Sequence, residues 1–209
     1  MFLFSFKINI NIHYIIIFKM ETEGYIVLRN VLCSQTLELL KIQTKMVENI
    51  ECFKIKEKPL NFPFGDNQCK NSFAKYGILC YESLLLLLKP LMEKHIGKEL
   101  CPTYSYSRIY YKNSKLDKHK DRSSCEYSAT ICISVDEKPW DIFFKKDEKE
   151  VCVSLNPGDM IIYKGQELEH WRDQYYGNEQ IQAFLHYVDK NGSNSNLVYD
   201  KRPFIGIEK

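Results

Sequence analysis

The chain has 209 residues, of which 44% are hydrophobic and 13% aromatic, and this is enough apolar material for the core of one domain. Its formal net charge is only +2, because 29 basic side chains are nearly balanced by 27 acidic ones. The basic residues are spread among the acids rather than clustered, so the composition gives no indication of a nucleic-acid partner or a membrane surface.

Eight cysteines occur, at positions 33, 52, 69, 80, 101, 125, 132 and 152, and no two of them form a Cys-x-x-Cys pair. This spacing argues against a zinc ribbon or a thioredoxin-like site. Several cysteines lie in apolar, strand-like runs, where a reduced thiol acts as a small hydrophobic group. Because no clear export signal is present, we expect free thiols and a reducing, cytoplasmic location.

Residues 1–19 are apolar but are interrupted by Lys7, Asn9, Asn11 and His13. A membrane span needs about 20 mostly apolar residues, and a signal peptide needs a basic start and a small-residue cleavage site, so neither pattern is clear. An extra strand and an upstream extension of the reading frame both explain the segment. We favour the extension, with a single domain over 20–209.

The first well-patterned strand covers 24–31. Ser34 is then placed to cap a helix over 35–49, with Leu39, Ile42 and Met46 on its apolar side. Residues 53–75 carry Lys, Pro, Asn and Gly, and are predicted to form a long loop that can act as a lid. A second helix is predicted from Leu79 to Ile96.

Two residues mark that second helix. Pro90 is expected either to kink it or to start a new helical segment, and Gly97 is a natural stop. The leucine run inside the helix is too short to span a bilayer, so we expect the helix to pack under a sheet.

From Thr103 onward the pattern changes to short strands. We predict strands at 103–112, 126–135, 140–144, 151–155, 160–163 and 180–189, an extended stretch beginning at His170, and a tight Pro-Gly-Asp turn at 157–159. Helical support over 34–97 followed by a β core over 103–189 indicates a mainly β fold with flanking helices, a double-stranded β-helix or jelly roll. The tail, 190–209, opens with Asn191-Gly-Ser-Asn-Ser-Asn, which is typical of a flexible linker.

A pair of metal-ligand types stands two positions apart, at His119 and Asp121. In an extended segment residues i and i+2 project to the same face, so both can reach one metal ion. The downstream His170 offers a third ligand. Two imidazoles and one carboxylate form the facial triad of non-haem iron oxygenases, although a lone His-x-Asp among surrounding lysines is equally typical of a surface turn.

The order of these features resembles the Fe(II)- and 2-oxoglutarate-dependent dioxygenases, in particular the prolyl-hydroxylase branch. The likeness is carried by Tyr110 in a Tyr-rich strand, His119-x-Asp121, the Pro-Gly-Asp turn and the distal His170. Stretches 105–110, 119–126, 158–165, 169–172 and 182–187 are similar to a group of such oxygenases in bacteria and large DNA viruses, and the resemblance covers roughly 24–206.

The resemblance implies a function as well as a fold. His119, Asp121 and His170 would hold Fe(II), with 2-oxoglutarate as co-substrate and O2 as oxidant. The reaction would release succinate and CO2 and would normally hydroxylate a substrate. The substrate is not evident from the sequence, and a small molecule and a peptide are both compatible with it.

The chain departs from this branch in one respect. An Arg or Lys usually follows the distal His by about ten residues and pairs with the far carboxylate of 2-oxoglutarate, but residues 179–181 are Glu-Gln-Ile. A buried dicarboxylate needs a cationic partner. We rank Arg172 first, because strand alternation places it on the same face as the distal histidine, then Arg108, which shares a face with Tyr110, and then Arg122. A surface or inter-strand ion pair is the alternative for each.

Tyr110, Gln180 and Gln182 are further candidates for hydrogen bonds to the co-substrate, and filling of the barrel interior is the alternative for the tyrosine. Two other functions stay open. One is a non-catalytic jelly roll that binds a ligand without turnover. The other is a cupin-like metalloenzyme that does not use 2-oxoglutarate, which the missing late cation keeps in consideration.

Overall fold

The computed structural model describes residues 20–56, 65–137 and 139–207, so the expected extension at 1–19 lies outside the described residues. The elements follow in the order β1 (Tyr25–Leu28), α1 (Ser34–Lys56), β2 (Ser72–Tyr76), α2 (Leu79–Ile96), β3 (Leu100–Tyr111), β4 (Leu116–His119), β5 (Tyr127–Val135), β6 (Ile142–Lys146), β7 (Lys149–Val153), β8 (Met160–Tyr163), β9 (Glu169–Arg172) and β10 (Glu179–Asp189).

The strands form two antiparallel sheets. A six-stranded sheet has the order β1–β8–β5–β10–β3–β2, and a four-stranded sheet has the order β4–β9–β6–β7. Most neighbours in these sheets are far apart in sequence, because the chain passes repeatedly from one sheet to the other, as in a jelly roll. The predicted mainly β fold, a double-stranded β-helix with flanking helices, is confirmed.

Side-chain alternation along β10 separates the two faces of the six-stranded sheet. Ile181, Ala183 and Leu185 are fully buried in the apolar cluster that the helices share. Phe184 and His186, which have the opposite parity, line a cavity between the sheets. One face of the sheet therefore supports the helices, and the other forms the lumen in which polar side chains collect.

Helix α2 matches its prediction at both ends. It continues through Pro90 as one segment, so the alternative of a new helix starting there is wrong. It ends at Gly97, which has a φ of 78° and donates its N–H to the Glu93 carbonyl. A left-handed residue at this position suits glycine, which has no Cβ to clash.

Helix α1 runs on to Lys56, and its packing differs from the prediction. The side chains expected to face inward are exposed, namely Leu39, Ile42 and Met46. Leu40, Thr44 and Glu48 are buried instead. The Thr44 hydroxyl lies 2.7 Å from that of Tyr81, and Glu48 accepts a hydrogen bond from Tyr111. Because these polar groups have partners, their burial costs little, and apolar periodicity alone pointed to the wrong face.

Two segments predicted to be irregular carry defined structure. Residues 53–56 belong to α1 and 72–76 form the edge strand β2, while 57–64 lie outside the described residues. The tail is not a linker. The Asn194 amide donates to Glu126 and Gln166, and 3-10 turns within Ser195–Lys201 are interrupted by a kink at which Asp200 is buried.

None of the described helices is both long and apolar enough to cross a membrane. None of the eight cysteines, all of which lie among the described residues, is paired in a disulfide. Cys132 is buried within β5, as expected of a reduced thiol at an apolar strand position, whereas Cys69 and Cys125 are buried outside the strands and Cys152 of β7 is exposed.

A buried ion pair attaches the C-terminal segment to the fold. Glu82 on α2 is 1% exposed and lies 2.9 Å from a guanidinium nitrogen of Arg202. The same carboxylate accepts hydrogen bonds from the backbone N–H and hydroxyl of Ser105, both at 2.8 Å, and from the backbone N–H of Gly206 at 3.0 Å. All four of these donors are therefore satisfied by the single carboxylate of Glu82.

Replacing this carboxylate with an amide should destabilise the protein strongly. Glu82→Gln leaves Arg202 buried without its counter-ion and turns an amide N–H₂ group toward other donors. We expect the free energy of unfolding to fall by about 3 kcal/mol, the typical result of breaking a buried pair from one side. Urea denaturation followed by circular dichroism measures it. The exposed Lys118–Glu150 pair supplies the control, Glu150→Gln, which should have little effect. Equal effects of the two substitutions would contradict the assignment.

Candidate metal centre and adjoining cavity

Pairing of β4 with β9 brings the two predicted imidazoles together. In this register His119 is the partner of His170, and their ring centroids are 4.3 Å apart. Asp121 follows β4, and its backbone N–H donates to the Gly165 carbonyl at 2.9 Å. The three side chains therefore come from two neighbouring strands and the turn that follows one of them.

The donor atoms of the three side chains converge. Asp121 Oδ1 lies 3.8 Å from His119 Nε2 and 3.7 Å from His170 Nε2. The three ligand atoms all lie within 4.8 Å of one another. Two imidazole nitrogens and one carboxylate oxygen arranged in this way can bind a single divalent ion on one side.

Backbone carbonyls determine which nitrogen of each ring is free. The Nδ1 atom of His119 lies 2.8 Å from the Asp117 carbonyl, and that of His170 lies 3.0 Å from the Leu168 carbonyl. A carbonyl oxygen only accepts, so each Nδ1 carries the proton and each neutral ring presents a lone pair at Nε2. Burial lowers the pKa of His170, which favours this neutral form. Two lone pairs and a carboxylate facing one another form a donor set that suits a divalent cation.

A hydrogen-bonded chain holds the carboxylate in place. The Ser128 hydroxyl donates to Asp121 Oδ2 at 3.0 Å, which leaves Oδ1 directed at the two imidazoles. Nδ1 of His186 lies 2.9 Å from the same hydroxyl, and burial lowers the pKa of His186 to about 4, so this ring is neutral. A Cβ on Gly165 would lie 2.4 Å from Asp121 Oδ2, so only glycine leaves room for this arrangement.

A cavity of about 410 Å³ opens beside the three donors. Its wall is largely aromatic, formed by Tyr76, Tyr104, Tyr106, Tyr110 and Phe184. Its lining also includes all three candidate metal-binding side chains. The open side of the candidate metal centre therefore faces a space large enough for small ligands.

Two of the three candidate arginines line this cavity but are already neutralised. Arg108 makes a bidentate contact with Asp66, at 3.1 and 2.6 Å. Arg122 makes one with Asp200, at 2.7 and 2.9 Å. Each guanidinium fork is thus occupied by a carboxylate of the protein.

Arg172 is different. Its side chain is 1% exposed, and one terminal nitrogen donates to the Trp140 carbonyl, while Nε and Nη2 have no hydrogen-bond partner in the described part of the chain. No ion pair involves Arg172 among the described residues. Burial lowers its pKa, as expected for a cation held away from water without a counter-ion.

Two more buried donors lack a partner among the described residues, and one of them, Tyr110, lies close to this arginine. The Tyr110 ring is 6.0 Å from the Arg172 guanidinium, its hydroxyl is buried without a partner, and burial raises its pKa to about 12. Gln182 accepts from Thr130 through its oxygen, which leaves its buried Nε2 unpaired. The cavity reaches Tyr110 but not Arg172. The group is rich in donors and lacks an acceptor, which is the complement of an anion.

Most of the predicted site residues lie together, and other contributors were not anticipated. No role was assigned from the sequence to Asp66, Asp200, Ser128, Gly165 or His186. Alternation along β10 gave a signal for His186, which has the lumenal parity of Gln182. Gln180, a further candidate donor, instead accepts a hydrogen bond from the Trp140 backbone at 2.9 Å.

Comparison with known proteins supports the fold. No protein-family model and no curated protein matches this chain. Among solved structures, a 2OG-Fe(II) oxygenase family oxidoreductase from Burkholderia pseudomallei is similar with a TM-score of 0.65 and 13% identity, over 87% of this chain and 92% of that one.

Two further structures show the same likeness. A Trichoplax adhaerens prolyl hydroxylase in complex with a hypoxia inducible factor peptide gives a TM-score of 0.64 at 11% identity, over 90% of this chain and 93% of that one. HygX from Streptomyces hygroscopicus, with nickel and 2-oxoglutarate bound, gives a TM-score of 0.63 at 13% identity, over 85% of this chain and 87% of that one. The resemblance predicted from the motifs is therefore confirmed for the fold, and the reaction has to be argued from the site.

Removing the hydrogen bond to Asp121 should weaken metal binding. Ser128→Ala frees Oδ2, so the carboxylate no longer has one oxygen held toward the imidazoles, and we expect metal affinity to fall about 10- to 100-fold. Anaerobic calorimetric titration with Fe(II) alone, without any co-substrate, measures it. Ser134→Ala on the same strand is the matched control and should leave the affinity unchanged. Equal affinity in the Ser128 variant and the parent would show that Ser128 does not orient Asp121.

Proposed function

We propose that the chain is an Fe(II)- and 2-oxoglutarate-dependent oxygenase in which His119, Asp121 and His170 hold the iron. The observation that carries this proposal is the uncompensated Arg172, which lies 6.0 Å from the ring of the unpaired Tyr110 and two residues beyond His170 of the convergent His-Asp-His group. A metal site alone suits many proteins. A metal site joined to a buried anion site suits a co-substrate that both chelates a metal and carries a second carboxylate.

The spacing of the two sites fits this co-substrate. Arg172 lies two residues beyond His170 on β9, so the two side chains point to one face about 6.8 Å apart along the strand. This is comparable with the length of a five-carbon dicarboxylate bound to the metal at one end. A burial cost of several kcal/mol for an unpaired guanidinium is relieved when a carboxylate enters its fork.

The residues of the chain bind, orient and shield the reactants. Arg172 is proposed to grip the far carboxylate, Tyr110 and Gln182 to donate to it, and the aromatic wall to keep water away from the open side of the metal. Fe(II), with 2-oxoglutarate and O2, would supply the oxidising chemistry, converting 2-oxoglutarate to succinate and CO2.

The space that remains is suited to a small substrate or a single protruding side chain. A cavity of about 410 Å³ must hold the co-substrate as well as the group to be oxidised. We propose hydroxylation as the outcome, with a small molecule or peptide as the substrate class. A ligand-binding jelly roll without turnover would form no succinate, and a cupin-like enzyme would not need 2-oxoglutarate.

Spectroscopy tests the assignment directly. Anaerobic addition of Fe(II) and 2-oxoglutarate together should produce a weak visible charge-transfer band, because the co-substrate chelates the metal. His170→Ala should abolish the band while circular dichroism shows an intact fold. Absence of the band in the parent protein would defeat the co-substrate assignment. Release of succinate across a library of peptides, amino acids and nucleosides would then identify the substrate.

The arginine assignment makes a sharper prediction. Arg172→Gln keeps much of the side-chain volume but removes the charge, so the affinity for 2-oxoglutarate should fall at least about tenfold, since charged hydrogen bonds contribute roughly 1.5–3 kcal/mol. Titration of the charge-transfer band measures this affinity, and the affinity for Fe(II) alone should change little.

Arg108→Gln and Arg122→Gln are matched controls, because protein carboxylates already occupy these two guanidinium groups. Both should bind 2-oxoglutarate nearly as well as the parent. Unaltered affinity in the Arg172 variant, with loss in either control, would move the anchor to the strand before the His-x-Asp motif or to the turn just after it.

A further inference from the structure

Helix α1 carries a continuous apolar stripe on its solvent side. The stripe consists of Leu39, Ile42, Met46, Ile50 and Phe53, each of which is between 49% and 64% exposed. Steps of three and four residues place all five on one face of the helix. Single exposed hydrophobic residues are ordinary, whereas five on one helix face mark an interaction surface.

The stripe cannot turn inward without breaking the core contacts made by the opposite face of α1. The opposite face of α1 is anchored in the core by Leu40, Thr44 and Glu48. The Thr44 hydroxyl is bonded to Tyr81 of α2, and Glu48 accepts from Tyr111 of β3. The stripe therefore points away from the core, and burying it requires something outside this domain surface.

We propose that a second copy of this chain covers the stripe, through an antiparallel pair of α1 helices related by a two-fold axis at Met46. In a two-fold interface, if residue i meets residue j, then j also meets i. With Met46 on the axis, Leu39 of one copy meets Phe53 of the other, because both lie seven residues from Met46. Ile42 likewise meets Ile50, each four residues away.

The pattern matches itself in this register and orientation. Every large apolar residue of the stripe faces another, and Met46 faces its own copy. Glu38, near the start of α1, comes to the level of Lys54 on the second copy; both side chains are exposed, and Lys54 also lies 3.2 Å from Glu51 of its own helix. An antiparallel pair also sets each helix N-terminus beside the C-terminus of its partner helix, which the helix dipoles favour. A parallel pair would instead bring Glu38 to the level of Glu38.

The location of the stripe leaves the candidate active site open. Helix α1 lies on the outer face of the six-stranded sheet, whereas the cavity lies between the two sheets. The proposed pairing is thus independent of the function assigned to the cavity, and a failure of either proposal does not affect the other.

The association state of the full chain tests the proposal. Light scattering after size-exclusion chromatography, over a range of concentrations, should give the mass of two chains. Met46→Glu places two carboxylates face to face on the axis, and Met46→Lys places two ammonium groups there. Each variant alone should have a dimer dissociation constant at least about 100-fold higher, because like charges at an interface centre cost several kcal/mol.

An equimolar mixture of Met46→Glu and Met46→Lys should restore the dimer, since the mixed pair brings opposite charges together. Leu87→Glu is the control, because this leucine is 71% exposed on α2 outside the stripe. It should stay dimeric, and all variants should keep the parental circular-dichroism spectrum. A monomeric parent protein, a dimeric Met46→Glu variant, or a mixture that stays monomeric would each overturn the proposal. The proposal would also be overturned if the chain dimerised only after residues 1–19 were removed.

Discussion

The antiparallel pairing of β4 with β9 is the contact on which the candidate active site depends. It sets His119 against His170 and Leu116 against Arg172, with a register shift between the two pairs, so this one strand pairing positions both the candidate metal ligands and the candidate anion partner. A shift of one residue would turn one imidazole out of the lumen, because strand side chains alternate between faces. The turn after β4 then brings the Asp121 carboxylate close to the two imidazole rings. Gly165 makes this possible by leaving room for the carboxylate.

Charge compensation divides the arginines of the lumen into two kinds. Arg108 and Arg122 are held by Asp66 and Asp200, which come from segments outside the double-stranded core. They give the cavity wall a fixed shape and little free charge. Arg172 is left without such a partner among the described residues, so the low-dielectric interior holds one cation whose counter-ion is expected to arrive as a ligand. The proposed function therefore depends on where Arg172 lies, not on how many cations the interior contains.

The six-stranded sheet keeps two kinds of chemistry apart. Its inner face carries polar and aromatic residues around the cavity, and its outer face is an apolar surface for the helices. Since α1 packs against the rest of the fold through only one of its faces, its opposite face is available for association. Changes at the helix surface therefore need not disturb the candidate metal centre, and the residues that line the cavity can vary without altering the helical layer.

Local patterns were sufficient for the elements and the metal-ligand types. Residue alternation identified most of the strands, the Pro-Gly-Asp sequence identified the turn before β8, and His119-x-Asp121 identified two candidate ligands, because each pattern lies within a few consecutive residues. His170 lies far downstream and was added from the order of the motifs along the chain. Strand parity also placed Arg172 on the face of His170, although Arg172 is not part of the cavity lining. Local patterns could not show which arginines have a carboxylate partner. Asp66 and Asp200 lie more than 40 and 70 residues, respectively, from the arginines that they neutralise. The inward face of α1 was likewise decided by tertiary partners, because Thr44 and Glu48 are stable in the core only when Tyr81 and Tyr111 are brought to meet them.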